Sequence, residues 1–158
     1  MIVMAISLAS ILVTPATTMA VHEELKVPDE PQMQNAASPR TLEKGDQSNV
    51  DDAKQVVVRT DAEWTRLWQQ HSPDRPRPVI DFSREMVIGV FMGSRPNAGF
   101  STAIVKTTAG NGVLIVQYTE TVPKAGTMTA QVLTFPYHLV AIPKATVTDA
   151  KFERVSGP

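Results

Sequence analysis

The histidines of this chain, His22, His71 and His138, are the side chains best suited to acid–base chemistry near neutral pH. A serine hydrolase brings a nucleophile, a base and an orienting acid within hydrogen-bond reach, and the sequence has no Gly-x-Ser-x-Gly turn to present such a serine. Packed or solvated histidines are therefore the preferred interpretation. A hydrolase with an unfamiliar site, built on Asp81, His138 and nearby serines, is an alternative hypothesis.

The ligand patterns of metal and phosphate sites are also missing. His22-Glu23-Glu24 is not a His-Glu-x-x-His motif, and Asp51-Asp52 lacks the spaced oxygen ligands of a calcium loop. The chain has no cysteine, which excludes a thiol nucleophile and thiolate metal ligands. Gly93 to Gly99 lacks the Lys-Ser/Thr ending of a phosphate-binding loop. We expect no catalytic residue, no metal and no cofactor, and hence not an enzyme.

Two loops carry residue types that anchor protein interfaces. The segment 93–100 places an arginine on a Pro-Asn turn framed by glycines, and the segment 134–138 places two aromatics around Pro136. Arginine and aromatic side chains on stiff loops are typical of protein-binding surfaces. The alternative is that the aromatics fill the end of a barrel and the arginine is only solvated. The predicted partner-binding residues are Arg95, Asn97, Phe100, Phe135 and Tyr137.

The first twenty residues contain no charge and predict a signal peptide, 1–20. Ile2 to Val13 form an apolar stretch, and Thr18-Met19-Ala20 offers a small-x-small cleavage site before Val21. The first basic residue is Lys26, so this leader lacks the usual basic start. An uncleaved membrane anchor is the alternative. We expect a periplasmic or extracellular protein with no membrane span after cleavage, and not a lipoprotein, because there is no cysteine to modify.

Residues 21–155 divide into a linker and one domain. Residues 21–40 hold three prolines among polar side chains and show no apolar periodicity, which indicates a flexible linker. Residues 41–155 form the predicted folded domain. Lys and Arg (15) nearly balance Asp and Glu (16), and no dense basic block is present, so nucleic acid is not an expected partner.

One helix is predicted near residue 60. Thr60 and Glu63 fit a capping box, and Ser72-Pro73 ends the helix because the residue before a proline avoids the helical region. The apolar face repeats at i, i+3, i+4 and i+7 and consists of Trp64, Leu67, Trp68 and His71. The two tryptophans are expected to pack in the core.

Strands dominate the rest of the predicted domain. Met86 to Met92 is apolar on both alternating faces, which is typical of a central strand. Asn111-Gly112 favours a tight hairpin turn. The predicted strands are Gln55–Thr60, Met86–Met92, Phe100–Thr107, Val113–Thr121, Thr127–Leu133, His138–Ile142 and Val147–Val155. The fold class is therefore mainly β (α+β by strict count), an antiparallel β-sandwich or partly open barrel with one amphipathic helix.

Four segments in this order resemble the PrcB-like family, over roughly residues 41–152. They are Trp64–Trp68, Asp81–Gly93, Arg95–Phe100 and Leu133–Pro143. At Asn97–Phe100 the family tends to have a Gly-Gly-Tyr-like turn, so this turn differs. The family takes its name from a small accessory subunit of an exported bacterial protease complex.

The resemblance implies a non-catalytic partner or stabiliser of a secreted protease, and it supplies no catalytic residues. The leading hypothesis is an exported protein-binding module whose partner is another exported protein such as a peptidase. A peptidase inhibitor is the alternative, because a Pro-Asn-Ala-Gly-Phe turn between strands resembles the loops that sandwich-type inhibitors present.

Overall fold

A computed structural model describes residues 39–157 of the chain. The predicted signal peptide and all but the last two residues of the predicted linker lie outside the described residues. The elements of the described part are β1 (Arg40–Gly45), β2 (Lys54–Val58), α1 (Asp61–His71), β3 (Glu85–Phe91), β4 (Ser101–Gly110), β5 (Val113–Thr121), β6 (Tyr137–Pro143) and β7 (Asp149–Arg154). No helix within 39–157 is long and apolar enough to cross a membrane.

The seven strands of this part form two sheets that do not close into a barrel. The larger sheet has the order β1-β6-β3-β2 and is antiparallel throughout. The smaller sheet has the order β4-β5-β7. The mainly β fold and the sandwich are thus confirmed. One feature corrects the prediction of purely antiparallel pairing, because β5 and β7 run parallel.

The larger sheet lies between the helix and the smaller sheet, so its central strands are buried on both faces. Along β3, Val87 and Phe91 pack with the helix residues, whereas Met86, Ile88 and Val90 pack against the smaller sheet. β6 divides its side chains in the same way. The double burial explains why these two strands are apolar at nearly every position.

Helix α1 forms as the sequence predicts. The Thr60 hydroxyl accepts the backbone N–H of Glu63, and the Glu63 carboxylate accepts that of Thr60, which completes the capping box. Trp64 is fully buried and Trp68 nearly so. Their indole N–H groups donate to the carbonyls of Pro78 and Arg75, at 2.9 and 2.8 Å, so the tryptophans also hold the loop that follows the helix.

Two elements differ from the sequence prediction. β1 was not predicted, because its polar residues carry no strand pattern, and it forms by pairing with β6 at the edge of the larger sheet. The predicted strand Thr127–Leu133 is instead irregular, apart from a bridge at the adjacent Thr134. Its backbone lies against a loop rather than beside a strand, so no ladder forms there.

His138 of β6 connects the two sheets. Its Nδ1 accepts the backbone N–H of Ile104 at 2.8 Å, at the β-bulge of β4. Because Nδ1 is the acceptor, the ring proton lies on Nε2, which donates to Thr41 Oγ1 at 3.0 Å. Burial lowers the pKa of His138 to about 4, so the ring is neutral at pH 7.

Gly93 follows strand β3 at a place that admits no side chain. Its φ is +72°, and a Cβ there would lie 2.6 Å from both the Ala53 nitrogen and the Asp51 oxygen. The loop after β3 can therefore pack on residues 51–53 only through a glycine.

We expect Gly93→Ala to lower the free energy of unfolding by at least about 2 kcal/mol, because it adds left-handed backbone strain and a backbone clash. Urea denaturation measures this change. Gly110→Ala is the matched control, since no atom lies within 4 Å of its added Cβ and its φ is not positive. Equal stability of the two variants would contradict the packing described for Gly93.

We expect the free energy of unfolding to fall as the pH falls from 6.5 towards 4. The pKa of His138 is lowered in the folded chain, so in this window the unfolded chain binds the extra proton. The stabilisation is complete above pH 6.5 and amounts to at most about 3 kcal/mol. Urea denaturation at several pH values should show a shallower slope for His138→Gln than for the unaltered chain. Identical slopes would refute this role of His138.

Candidate functional site

The two loops predicted to bind a partner are paired with each other. Arg95 and Thr134 exchange both backbone hydrogen bonds, at 2.7 and 2.9 Å. The Thr134 hydroxyl donates to the Asn97 carbonyl at 3.0 Å, and the Ala98 N–H donates to the Ala130 carbonyl at 3.0 Å. We call residues 93–100 and 122–135 together the loop-pair surface.

Backbone contacts with the core hold the loop-pair surface in place. The Ser94 N–H donates to the Asp51 carbonyl, and the Phe135 N–H donates to the Asp46 carbonyl, each at 2.8 Å. The Met92 N–H donates to the Pro136 carbonyl at 2.9 Å, beside the first loop. Each loop is thus tied both to its neighbour and to the segment between β1 and β2, which makes the surface stiff.

Apolar side chains on the second loop face solvent. Met128 is 99% exposed and Leu133 is 55% exposed. Val122 and Val132 are exposed as well, so four of the six exposed large hydrophobic residues in the described part lie on this one loop. The sequence prediction missed these residues because Thr127–Leu133 was assigned to a strand. The sequence feature that indicates an apolar loop here is the adjacent pair Val132-Leu133, which lies between the turn residues Gly126 and Pro136.

Four of the five predicted partner-binding residues lie on or beside this surface. The Arg95 guanidinium lies 5.8 Å from the centre of the half-buried Phe100 ring, which is cation–π distance. Phe135 is half-buried, and the buried Oδ1 of Asn97 has no hydrogen-bond partner among the described residues. Their role in binding stays a prediction. Tyr137 is 2% exposed and stacks with Phe91 at 6.1 Å, so it lies in the core rather than on the surface.

A second group of reactive side chains surrounds His71, and we call it the His71 cluster. His71 Nδ1 lies 2.8 Å from Ser48 Oγ, and His71 Nε2 lies 3.0 Å from Glu43 Oε2. Arg75 contacts the other carboxylate oxygen of Glu43 and donates to the Tyr137 hydroxyl at 3.3 Å. The cluster connects β1, the end of α1 and β6, and nothing in the spacing of these residues predicted it.

The His71 cluster has the serine–histidine–carboxylate order of a hydrolytic triad, but its serine is buried. Burial lowers the pKa of His71, so the ring is neutral, donates from Nε2 to Glu43 and accepts the Ser48 hydroxyl at Nδ1. Ser48 is only 4% exposed, and its oxygen already accepts the Val50 N–H at 3.1 Å. A substrate carbonyl has no approach to this hydroxyl, so the cluster serves as a clamp between the helix and the sheet.

The residues of the alternative hydrolase hypothesis do not come together. The exposed Asp81 accepts from Ser83 just before β3, and these hydrogen bonds lower the pKa of Asp81. Asp81 precedes Glu85, the first residue of β3. His138 instead pairs with Val90, which lies five residues, or about 17 Å, further along that strand. Within residues 39–157, no group of three or more His, Asp or Glu side chains could hold a metal ion.

Comparisons with known proteins give one match. A family model described as PrcB C-terminal matches residues 86–143, from the central strand β3 to the end of β6. The matched segment includes the whole first loop of the loop-pair surface and the whole second loop. It leaves out α1 and most of the His71 cluster. No curated protein and no solved structure matches the chain.

Proposed function

We propose that the chain, in which residues 86–143 match the PrcB C-terminal family model, is an exported, non-catalytic module that binds another exported protein. The single observation that carries the proposal is the loop-pair surface. It is stiff, and it exposes apolar side chains that the fold does not need for its own core.

The chemistry of the loop-pair surface defines the partner that it fits. Met128 and Leu133 each present apolar area, and burying one such side chain contributes about 1.5–3 kcal/mol. Arg95, whose backbone pairs with Thr134, adds one cation to the same surface. A complementary partner would offer an apolar depression with an acidic or carbonyl group at its rim. Contacts of this kind, an apolar centre with an arginine, are typical of protein–protein interfaces.

The family resemblance favours an exported peptidase as the partner and a stabilising or accessory role for the module. The non-catalytic role is supported by the burial of Ser48, which closes the one triad-like arrangement in the described part. Export is supported by the uncharged apolar leader and its small-x-small site before Val21. Binding to a peptidase without chemistry of its own agrees with both features.

We expect tagged chain, purified from envelope fractions, to retain a peptidase that mass spectrometry identifies. Met128→Ser/Leu133→Ser should weaken the complex at least roughly tenfold, because the two substitutions remove more than about 1.4 kcal/mol of apolar burial. Val79→Ser is the control, since Val79 is 95% exposed but lies outside the loop-pair surface.

Three outcomes would count against the proposal. Recovery of general envelope proteins without a peptidase would remove the peptidase partner. Equal retention by the double variant and by Val79→Ser would remove the loop-pair surface as the docking site. If the purified chain slows the retained peptidase in a titration, the inhibitor hypothesis is favoured over the accessory role.

We expect the exported form to begin at Val21, because Thr18-Met19-Ala20 provides the small residues that signal peptidases require. N-terminal sequencing of chain recovered from the envelope or medium tests this directly. Ala20→Pro should block cleavage and leave the longer chain in the membrane fraction. A chain that keeps Met1 in both forms would support the uncleaved anchor instead.

A further inference from the structure

Strand β2 has an open edge. In the order β1-β6-β3-β2 it lies at the end of the sheet, so its only hydrogen-bonded neighbour among the described strands is β3. All five of its residues pair with β3 in continuous register. In an antiparallel ladder alternate residues point their backbone groups away from the neighbour, so the outer side of β2 presents N–H and C=O groups that pair with no other strand within residues 39–157.

A groove of about 300 Å³ runs along this edge. Val56 and Val58 face α1, whereas Val57 faces the smaller sheet, and all three line the groove. Because β2 is the outermost strand of the sheet, this groove lies beside its unpaired edge. Helix α1 forms the other wall with Glu63, Arg66, Leu67 and Gln70. The groove therefore combines a backbone edge with apolar side chains.

The other sheet edges in residues 39–157 carry the features that prevent pairing with another chain. β1 is interrupted by a register shift between Thr41 and Glu43, and β4 by one between Ile104 and Lys106. β7 exposes charged side chains, including Lys151 and Glu153. Bulges and charges of this kind block edge-to-edge pairing. β2 has neither a bulge nor a proline, and the run Val56–Val58 carries no charge.

The charges around the groove favour an acidic residue in its occupant. Lys54 Nζ donates to Gln70 Oε1, and the Glu63 carboxylate is taken up by the backbone N–H groups of Arg59 and Thr60. Arg66 is exposed and joins no ion pair with any residue of the described part. Of the two charged residues that line the groove, Glu63 is held by backbone N–H groups, and Arg66 is the one without a partner among the described residues.

We propose that the edge of β2 binds an extended peptide segment of a partner protein, which adds a fifth strand to the larger sheet. Alternate apolar side chains of the segment enter the groove between β2 and α1, and an acidic side chain faces Arg66. Backbone pairing supplies affinity in this mode, and the groove supplies specificity. This second surface is distinct from the loop-pair surface, so each can be tested while the other is left unchanged.

The test is a titration of the isotope-labelled full chain, followed by the backbone amide signals in NMR. The probe is the capped hexapeptide Glu-Thr-Val-Thr-Val-Thr, whose glutamate and two valines lie on one face of an extended chain and whose threonines lie on the other. We expect shifts at β2 and at the facing side of α1, and slower hydrogen exchange at alternate β2 amides. The loop-pair surface should show no shifts.

Backbone methylation distinguishes strand addition from simple apolar contact. Two versions of the peptide carry N-methyl groups on alternate amides, in the two possible registers. We expect one version to bind like the parent and the other at least roughly tenfold more weakly, because only one set of amides faces β2. Equal binding by both versions would overturn the proposal.

Charge substitutions test the role of Arg66. Arg66→Glu should weaken the acidic peptide roughly fivefold, which is the upper range for an exposed ion pair, and should favour the peptide with Lys in place of Glu. Arg84→Glu is the control, because Arg84 is exposed and lies at a different cavity, beside Asp81. Equal effects of the two substitutions would overturn the assignment of the acid to Arg66.

The free chain provides two further outcomes that would refute the proposal. If the alternate β2 amides become protected as the chain is concentrated without peptide, a second copy occupies the edge. If they are already protected at every concentration, the chain closes its own edge. A loop-pair variant such as Leu133→Ser should bind the peptide normally, so failure at β2 and failure at the loop-pair surface are distinguishable.

Discussion

The burial of β3 and β6 on both faces is the constraint on which the rest of this structure depends. A strand that is covered twice cannot use a polar face, so both strands are apolar at nearly every position. Helix α1 covers one face and the smaller sheet covers the other. Because both faces are covered, the loops that join these strands to the rest of the chain lie at the strand ends. The loop-pair surface forms at one such end, where β3 ends and β6 begins.

The polar residues of the core follow from the same constraint. A few hydrogen bonds cross between the three layers and add direction to their apolar packing. His138 makes one such crossing from the larger sheet to the bulge of β4, and His71 makes another from α1 to β1. Both rings are buried and have lowered pKa values, so they act as neutral hydrogen-bonding groups. Histidine can donate and accept at once, which suits a position between two layers.

The two proposed binding surfaces use different physical features of one sandwich. The loop-pair surface offers apolar side chains on a backbone that hydrogen bonds hold at several points. The β2 edge instead offers a backbone whose outer donors and acceptors pair with no other strand of the described part, beside a modest apolar groove. A partner with a folded apolar depression fits the first, and a partner with an extended segment fits the second. One protein could engage both if it carried a flexible tail.

Local patterns in the sequence determined the helix with its capping box, the central strand β3, the hairpin of β4 and β5, the mainly β class and the family resemblance. These features can be read from the sequence because they depend on residues that are close in the chain. A strand buried on both faces is also recognisable, because it is apolar at nearly every position. Only the tertiary structure decided that β1 is a strand and that residues 127–133 are not. An edge strand forms only where another strand lies beside it to pair with. The tertiary structure also decided that Tyr137 is core, and it assembled the His71 cluster from residues up to 94 positions apart, from Glu43 to Tyr137. The exposure of Met128 and Leu133 likewise follows from packing, since an apolar residue in a sequence does not reveal which neighbours will cover it.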